Sequence, residues 1–185
     1  MVGWDLAYRR RKKDIEPIVI QARKPDIKLT ENLPVDPNLQ FGRLCVKKRP
    51  EYMHGGRYDR SFYYVEIINT VPSTVASNCQ GSITLDSNTY STIWEKNESY
   101  NISIAHGELL YLFETSVFTS GSNQVTRLYF KWGIHTVGDE AIHDYNNNLD
   151  KQLTVLIQSD NATFPSEPES FKRTIRQIIH ESIEC

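Results

Sequence analysis

From Phe62 onward the chain is a series of short alternating runs broken by turn residues roughly every ten positions, and this rhythm constrains the fold most. In "FYYVEII", residues 62–68, Tyr63, Val65 and Ile67 occupy one phase and Phe62, Tyr64, Glu66 and Ile68 the other. Both phases are apolar enough to predict an interior strand covered on two sides. "NTVPST" then supplies breakers, and a cleaner alternation runs from Val75 to Leu85. There Val75, Cys79, Gly81, Ile83 and Leu85 share one phase with Ser77, and Ala76, Asn78, Gln80, Ser82 and Thr84 form the other. One packed face and one wet face is the mark of an antiparallel sheet.

The rhythm continues through "STIWE" around Trp94 and "SYNISIA", where Tyr100, Ile102 and Ile104 alternate with polar residues. "LLYLFETSVF", residues 109–118, is apolar in both phases over its first half. After the turn "TSGSN" comes "VTRLYFKW", with Leu128, Phe130 and Trp132 expected on one face, and later "KQLTVLIQS", with Leu153, Val155 and Ile157. Many short strands without intervening helices predict an all-β fold, an antiparallel β-sandwich rather than βαβ units.

The two ends read differently. Residues 1–40 carry Pro17, Pro25, Pro34 and Pro37, a density that excludes long helices and predicts an extended leader. "FGRLCVKK", residues 41–48, reads as a strand with Leu44 and Val46 on one face, and "RPEYMHGGRYDR", residues 49–60, as a polar loop. The sandwich is therefore expected over 41–160. Near the other end "SEPE", residues 166–169, has the form of a capping box, and Phe171, Ile175, Ile178, Ile179 and Ile183 recur at helical spacing. They predict one amphipathic helix over 167–183, within a 166–185 segment that packs on the domain.

A chain of 185 residues suits one domain with extensions, and 39% apolar and 24% charged residues are globular values. The net charge of −2 gives no bulk reason to bind nucleic acid or anionic membrane, but its distribution is uneven. Residues 1–28 hold eight Lys/Arg against four Asp/Glu, and residues 139–185 hold four against nine. Arg9, Arg10, Arg11, Lys12 and Lys13 form an unbroken basic run behind an aromatic stub, the pattern of the cytoplasmic flank of a membrane helix. A membrane-proximal soluble domain on the cytoplasmic side is the matching expectation, with an anionic membrane surface as one contact. No apolar run in the chain reaches the roughly 20 residues that span a bilayer.

"YYVEIINTVPSTVASNCQGSITL" and the Trp94 strand after it resemble the opening of the immunoglobulin-like β-sandwich found in prokaryotic surface and membrane-associated proteins, the cell-adhesion-related type. Val65, Ile67, Asn69, Ala76, Asn78 and Cys79 hold the matching places, and Pro72 and Ser73 stand where that pattern has a turn glycine. The resemblance covers about residues 60–120 and implies an immunoglobulin-like fold, on which many unrelated functions are built.

Chemistry-bearing patterns are few. "HTVGDEAIHD" gathers His135, Asp139, Glu140, His143 and Asp144, but the histidine spacing is no zinc pattern and the segment reads as a solvated acidic loop. The cysteines Cys45, Cys79 and Cys185 form no metal motif; Cys79 falls on the packed phase, where a thiol is inert, and Cys185 reads as the reactive one. There is no phosphate-binding loop, dinucleotide motif or nucleophile elbow. Asn97, Asn101 and Asn161 head glycosylation acceptor triplets. No catalytic residue, metal or cofactor is expected. The function expected is a non-enzymatic interaction module that binds a protein partner. Its alternative is a nucleic-acid or polyanion binder using Lys47, Lys48, Arg49, Arg57 and Arg60 for phosphates and Tyr52 and Tyr58 for stacking.

Overall fold

The computed structural model describes residues 35–53, 56–132, 142–163 and 171–185. The strands are β1 (Leu39–Met53), β2 (Gly56–Asn69), β3 (Ala76–Leu85), β4 (Asn88–Thr92), β5 (Ile102–Ile104), β6 (Gly107–Ser120), β7 (Asn123–Tyr129), β8 (Ile142–Asp144), β9 (Gln152–Gln158), β10 (Phe171–Thr174) and β11 (Ile183–Glu184). Two short helices, α1 (Tyr145–Asn148) and α2 (Ile175–Glu181), interrupt them. The larger sheet has the order β11-β1-β2-β6-β7-β8 and the smaller β10-β9-β3-β4, with β5 on β3. Among the described residues strand pairing is antiparallel except where β11 meets β1, and an isolated parallel bridge joins Asn38 to Thr163. The result is the β-sandwich that the alternating runs predict. β2 pairs β6 within the larger sheet, and β3 pairs β9 within the smaller.

The inner faces meet in a core that includes Val65, Ile67, Ile83, Leu85, Trp94, Leu110, Leu128, Phe130, Leu153 and Val155. At Gly81 a Cβ would lie 2.5 Å from Leu110 Cδ1 across the core, so any side chain there would force the buried Leu110 to shift. Trp94 is wholly buried, and its Nε1–H donates to the Cys79 carbonyl at 2.9 Å, which satisfies the indole donor inside the core. Leu153, Val155 and Ile157 are buried as their alternation predicts. β2 is interior, buried in both phases from Phe62 to Val65.

Besides a slip in β1 between Phe41 and Leu44, two bulges change the phase of strands that read as regular. Asn78 takes a φ of 52°, and pairing slips between Ala76 and Cys79. Ala76 and Cys79 therefore both face the core, and Val75, expected there, is 48% exposed. The second bulge inserts Leu112 between the Tyr63–Phe113 and Tyr64–Tyr111 pairs, so even positions of β6 face outward after it and odd positions before it. Where the turn glycine is absent, Ser73 itself adopts a φ of 68°. Asn69 closes that turn, accepting from Val71 N–H at 3.1 Å and donating to the Thr74 carbonyl at 3.0 Å.

Three further expectations change. Residues 49–53 and 56–60 form strands rather than loop, because β1 and β2 stay paired in register to the Met53–Gly56 pair and β2 is also paired to β6 from Arg57 onward. Trp132 leaves the face of Leu128 and Phe130, because β7 ends at Tyr129 and the chain bends beyond it. The helix expected over 167–183 is only α2. Phe171–Thr174 pairs with β9 instead, and a capping box forms between Thr174 and Gln177. "SEPE" lies outside the described residues. Phe171, Ile175 and Ile178 still enter the core, so the apolar stripe docks as expected, except for Ile183, which is 52% exposed.

A polar latch joins the sheets at one edge: Tyr90 Oη of β4 and His143 Nε2 of β8 lie 3.0 Å apart, and Phe130 stacks on Tyr90. Burial first, then the Lys151 ammonium, holds the imidazole below its ordinary pKa, against a smaller opposing effect of Asp86. The unfolded chain therefore takes up this proton more readily, and the stability present above the ordinary value of 6.5 is lost as pH falls through the lowered native value. The thermal midpoint should drop between about pH 7 and pH 5. In His143→Gln that part of the slope should flatten, with a loss of about 1 kcal/mol at neutral pH. An unchanged slope in the variant would remove His143 from the latch.

Candidate functional site

The outer face of the larger sheet, turned away from the core, carries a second cluster: Cys45, Phe62, Tyr64, Ile93 and Tyr111, with Leu109 and Trp132 against it. Phe62 and Tyr111 each pack on the Trp132 ring, at 5.2 and 5.1 Å between centroids. The Tyr111 hydroxyl donates to the Tyr129 carbonyl at 2.9 Å. Burial pushes the Tyr64 and Tyr111 phenols up in pKa and keeps them neutral.

Beyond this cluster the face turns polar at one ion pair. Arg60 grips Glu114 bidentately, Nε to Oε1 at 2.5 Å and Nη2 to Oε2 at 2.8 Å, while Nη1 reaches Glu51 at 2.8 Å. The guanidinium also lies 4.9 Å above the Phe62 ring. Glu114 is only 2% exposed, and its hydrogen bond is the largest of the effects that raise the Arg60 pKa. A carboxylate so deeply placed is tolerable only with its charge and lone pairs met.

Past Arg60 and Glu114 the ribbon of β1 and β2 and the ends of β6 and β7 project together. Here Tyr58, Ser116, Phe118, Val125, Arg127 and Tyr129 line a concavity of about 330 Å³. Register makes this wall: Tyr58 stands opposite Phe118, Phe118 opposite Val125, and Ser116 opposite Arg127. The Tyr58 and Phe118 rings pack at a tilt with centroids 4.6 Å apart, Val125 is 46% exposed, and the exposed Arg127 makes no ion pair among the described residues. Aromatic, aliphatic and arginine surface in one open hollow can bury a side chain of a partner and pair its carboxylate.

The same register divides the basic and aromatic residues singled out in the sequence. Lys47, Arg49, Tyr58 and Arg60 fall in the phase of the outer face, whereas Lys48 and Arg57 fall in the other, with Tyr52 paired to Arg57. Several of these charges are also met. Lys47 pairs with Glu95 at 2.5 Å and Arg57 with Asp59 at 2.7 Å, in addition to the Arg60 pairs. Arg49 rests 5.5 Å from the Phe62 ring, and Lys48 is exposed. Sequence reading thus brought Tyr58 to the site but missed Ser116, Phe118, Val125, Arg127 and Tyr129, since only strand register joins them.

Arg9, Arg10, Arg11, Lys12 and Lys13 lie outside the described residues, as do His135, Asp139 and Glu140. Asp144 caps α1 by accepting from Asn147 N–H at 3.0 Å. Asn161 is exposed, and its amide donates to the Val75 carbonyl and accepts from Ser77 N–H beside the first bulge. Among the described residues no group of His, Cys, Asp and Glu is placed to hold a metal ion, and no helix is long and apolar enough to cross a membrane. No protein family matches the chain, and no curated protein or solved structure is similar to it.

Removing Glu114 should reveal what the boundary pair contributes. Glu114→Ala should lower stability by about 2–4 kcal/mol in denaturant titration, because it strips two hydrogen bonds from a largely buried guanidinium. Glu51→Ala, on the half-exposed partner, should cost under about 1 kcal/mol. Equal costs would mean that Glu114 is as solvated as Glu51.

Proposed function

We propose that this chain is a non-enzymatic, immunoglobulin-like interaction module that binds a protein partner through the far end of its larger sheet's outer face, close to an anionic membrane surface. The observation that carries the reading is the hollow between Tyr58, Phe118, Val125 and Arg127. There the half-buried Tyr58 and Phe118 and the exposed Val125 stand open beside Arg127, which makes no ion pair among the described residues. Ion pairing of Lys47, Arg57 and Arg60, and the splitting of the basic set between two phases, weigh against a phosphate-tracking surface. The membrane part of the reading rests on the basic run Arg9–Lys13, which would be attracted to anionic lipid by roughly 1 kcal/mol per residue.

Three probes separate the parts. Vesicles containing phosphatidylserine should sediment the full chain, and deletion of residues 1–13 should abolish this while Phe118→Asp/Arg127→Glu leaves it intact. In chemical cross-linking on cells, the adducts of the wild type should be proteins, and the double variant should lose them. A labelled single-stranded oligonucleotide at near-physiological salt should stay unbound. Oligonucleotide binding that weakens steeply with salt and disappears in Arg49→Ala/Arg127→Ala, without vesicle binding, would make the polyanion reading the correct one.

A further inference from the structure

The register of β11 on β1 brings together two of the three cysteines. Cys45 pairs with Ile183 and Val46 with Glu184 in a parallel ladder, and Cys185 N–H donates to the Val46 carbonyl at 3.3 Å. In that ladder Cys185 stands two residues beyond the partner of Cys45 and therefore on the same face of the sheet. Cys45 is buried in the outer cluster, and Cys185 is exposed above it, past the last paired residue. A two-residue offset exceeds the span a disulfide bridges without adjustment, and Cys185, past the last paired residue and tied to β1 by that one backbone hydrogen bond, is the side that can shift. Burial and contact with the Cys45 thiol push the Cys185 thiol up to about 12, so at neutral pH it is held as a thiol beside its neighbour.

We infer that Cys45 and Cys185 form a reversible disulfide that locks β11 onto the edge of β1. In the oxidising step a disulfide of the glutathione type exchanges with one thiol, and the second thiol displaces the mixed adduct. One S–S bond forms in the protein and one breaks in the oxidant, whose two sulfurs leave as thiols carrying the two protons and two electrons. β11 is only two residues long and Ile183 is half exposed, so in the dithiol form little besides these pairs holds it. Ile183 and Glu181 also form one wall of a groove of about 350 Å³ whose other wall includes Phe41, Leu44, Phe171 and Arg173. Oxidation fixes that wall, and reduction frees it together with the β1 edge at Cys45 and Val46. Cys79 takes no part: it is wholly buried in the inter-sheet core, where burial pushes its thiol up.

The test is incubation of the native full chain with oxidised glutathione, followed by alkylation in denaturant and peptide mass spectrometry. A Cys45–Cys185 linked peptide is expected, with Cys79 still alkylatable and the mass lower by two hydrogens. Oxidation should raise the thermal midpoint of the wild type and of Cys79→Ser and leave that of Cys185→Ser unchanged. Cys185→Ser keeps every buried residue, so it folds if the wild type does. A stable glutathione adduct on Cys185, a Cys185–Cys185 dimer, or a linked peptide seen only after unfolding would each overturn the inference.

Discussion

The β2–β6 ladder is the constraint on which the rest of the structure depends. It runs from the Arg57–Thr119 pair to the Ile68–Gly107 pair, and over its middle it is apolar on both faces. A strand pair of that kind cannot sit at the surface of a sandwich with one face wet, so each face needs its own cover. The smaller sheet covers the inner face through Ile83, Val155 and Leu153. Ile93, Leu109 and Trp132 pack against the outer one. The departures of Trp132 from its strand and of Ile93 from the end of β4 follow from that need.

The outer cover stops where Arg60 meets Glu114. A salt bridge placed this deeply adds little net stability compared with an apolar pair, because desolvation consumes most of the attraction. What it does is fix a border. On one side Phe62, Tyr64 and Tyr111 are sealed in. On the other the strands continue for several residues with half-buried aromatics and Arg127 in the open. The projection of the ribbon past the core gives the proposed binding face its position, and the rigidity of a paired β-ladder would give it a fixed shape at low entropic cost.

Much of the architecture was legible because period-2 patterning reports burial directly, as in Leu153, Val155 and Ile157 or in the doubly apolar "FYYVEII". The errors of phase share one cause. A bulge adds a single residue without changing composition, so nothing in "TVASNC" or "LLYLFE" marks where the phase turns over. Alternation therefore puts Val75 inside, whereas it is exposed, and does not show the outward set of β6. "RPEYMHGGRYDR" read as loop because proline, glycine and charge are turn residues by habit, yet Pro50 tolerates an edge strand, and the partner ladder determines the state. At the other end, helical spacing of the isoleucines hid a strand. Phe171–Thr174 follows β9, and Thr174 with Gln177 supplies a later start signal. The candidate site was the least legible part, since Tyr58, Phe118 and Arg127 meet only through the register of three strands.

Hydroxyl-radical footprinting of the native chain, read residue by residue, tests most directly the claim that the outer face is sealed at its root and open at its end. Tyr58 and Phe118 should oxidise several-fold faster than Phe62, Tyr64 and Tyr111, and denaturant should abolish the difference. Oxidation of Tyr64 and Tyr111 at the rate of Tyr58 in the native protein would contradict the account, because the outer face would then have no border at Arg60 and Glu114.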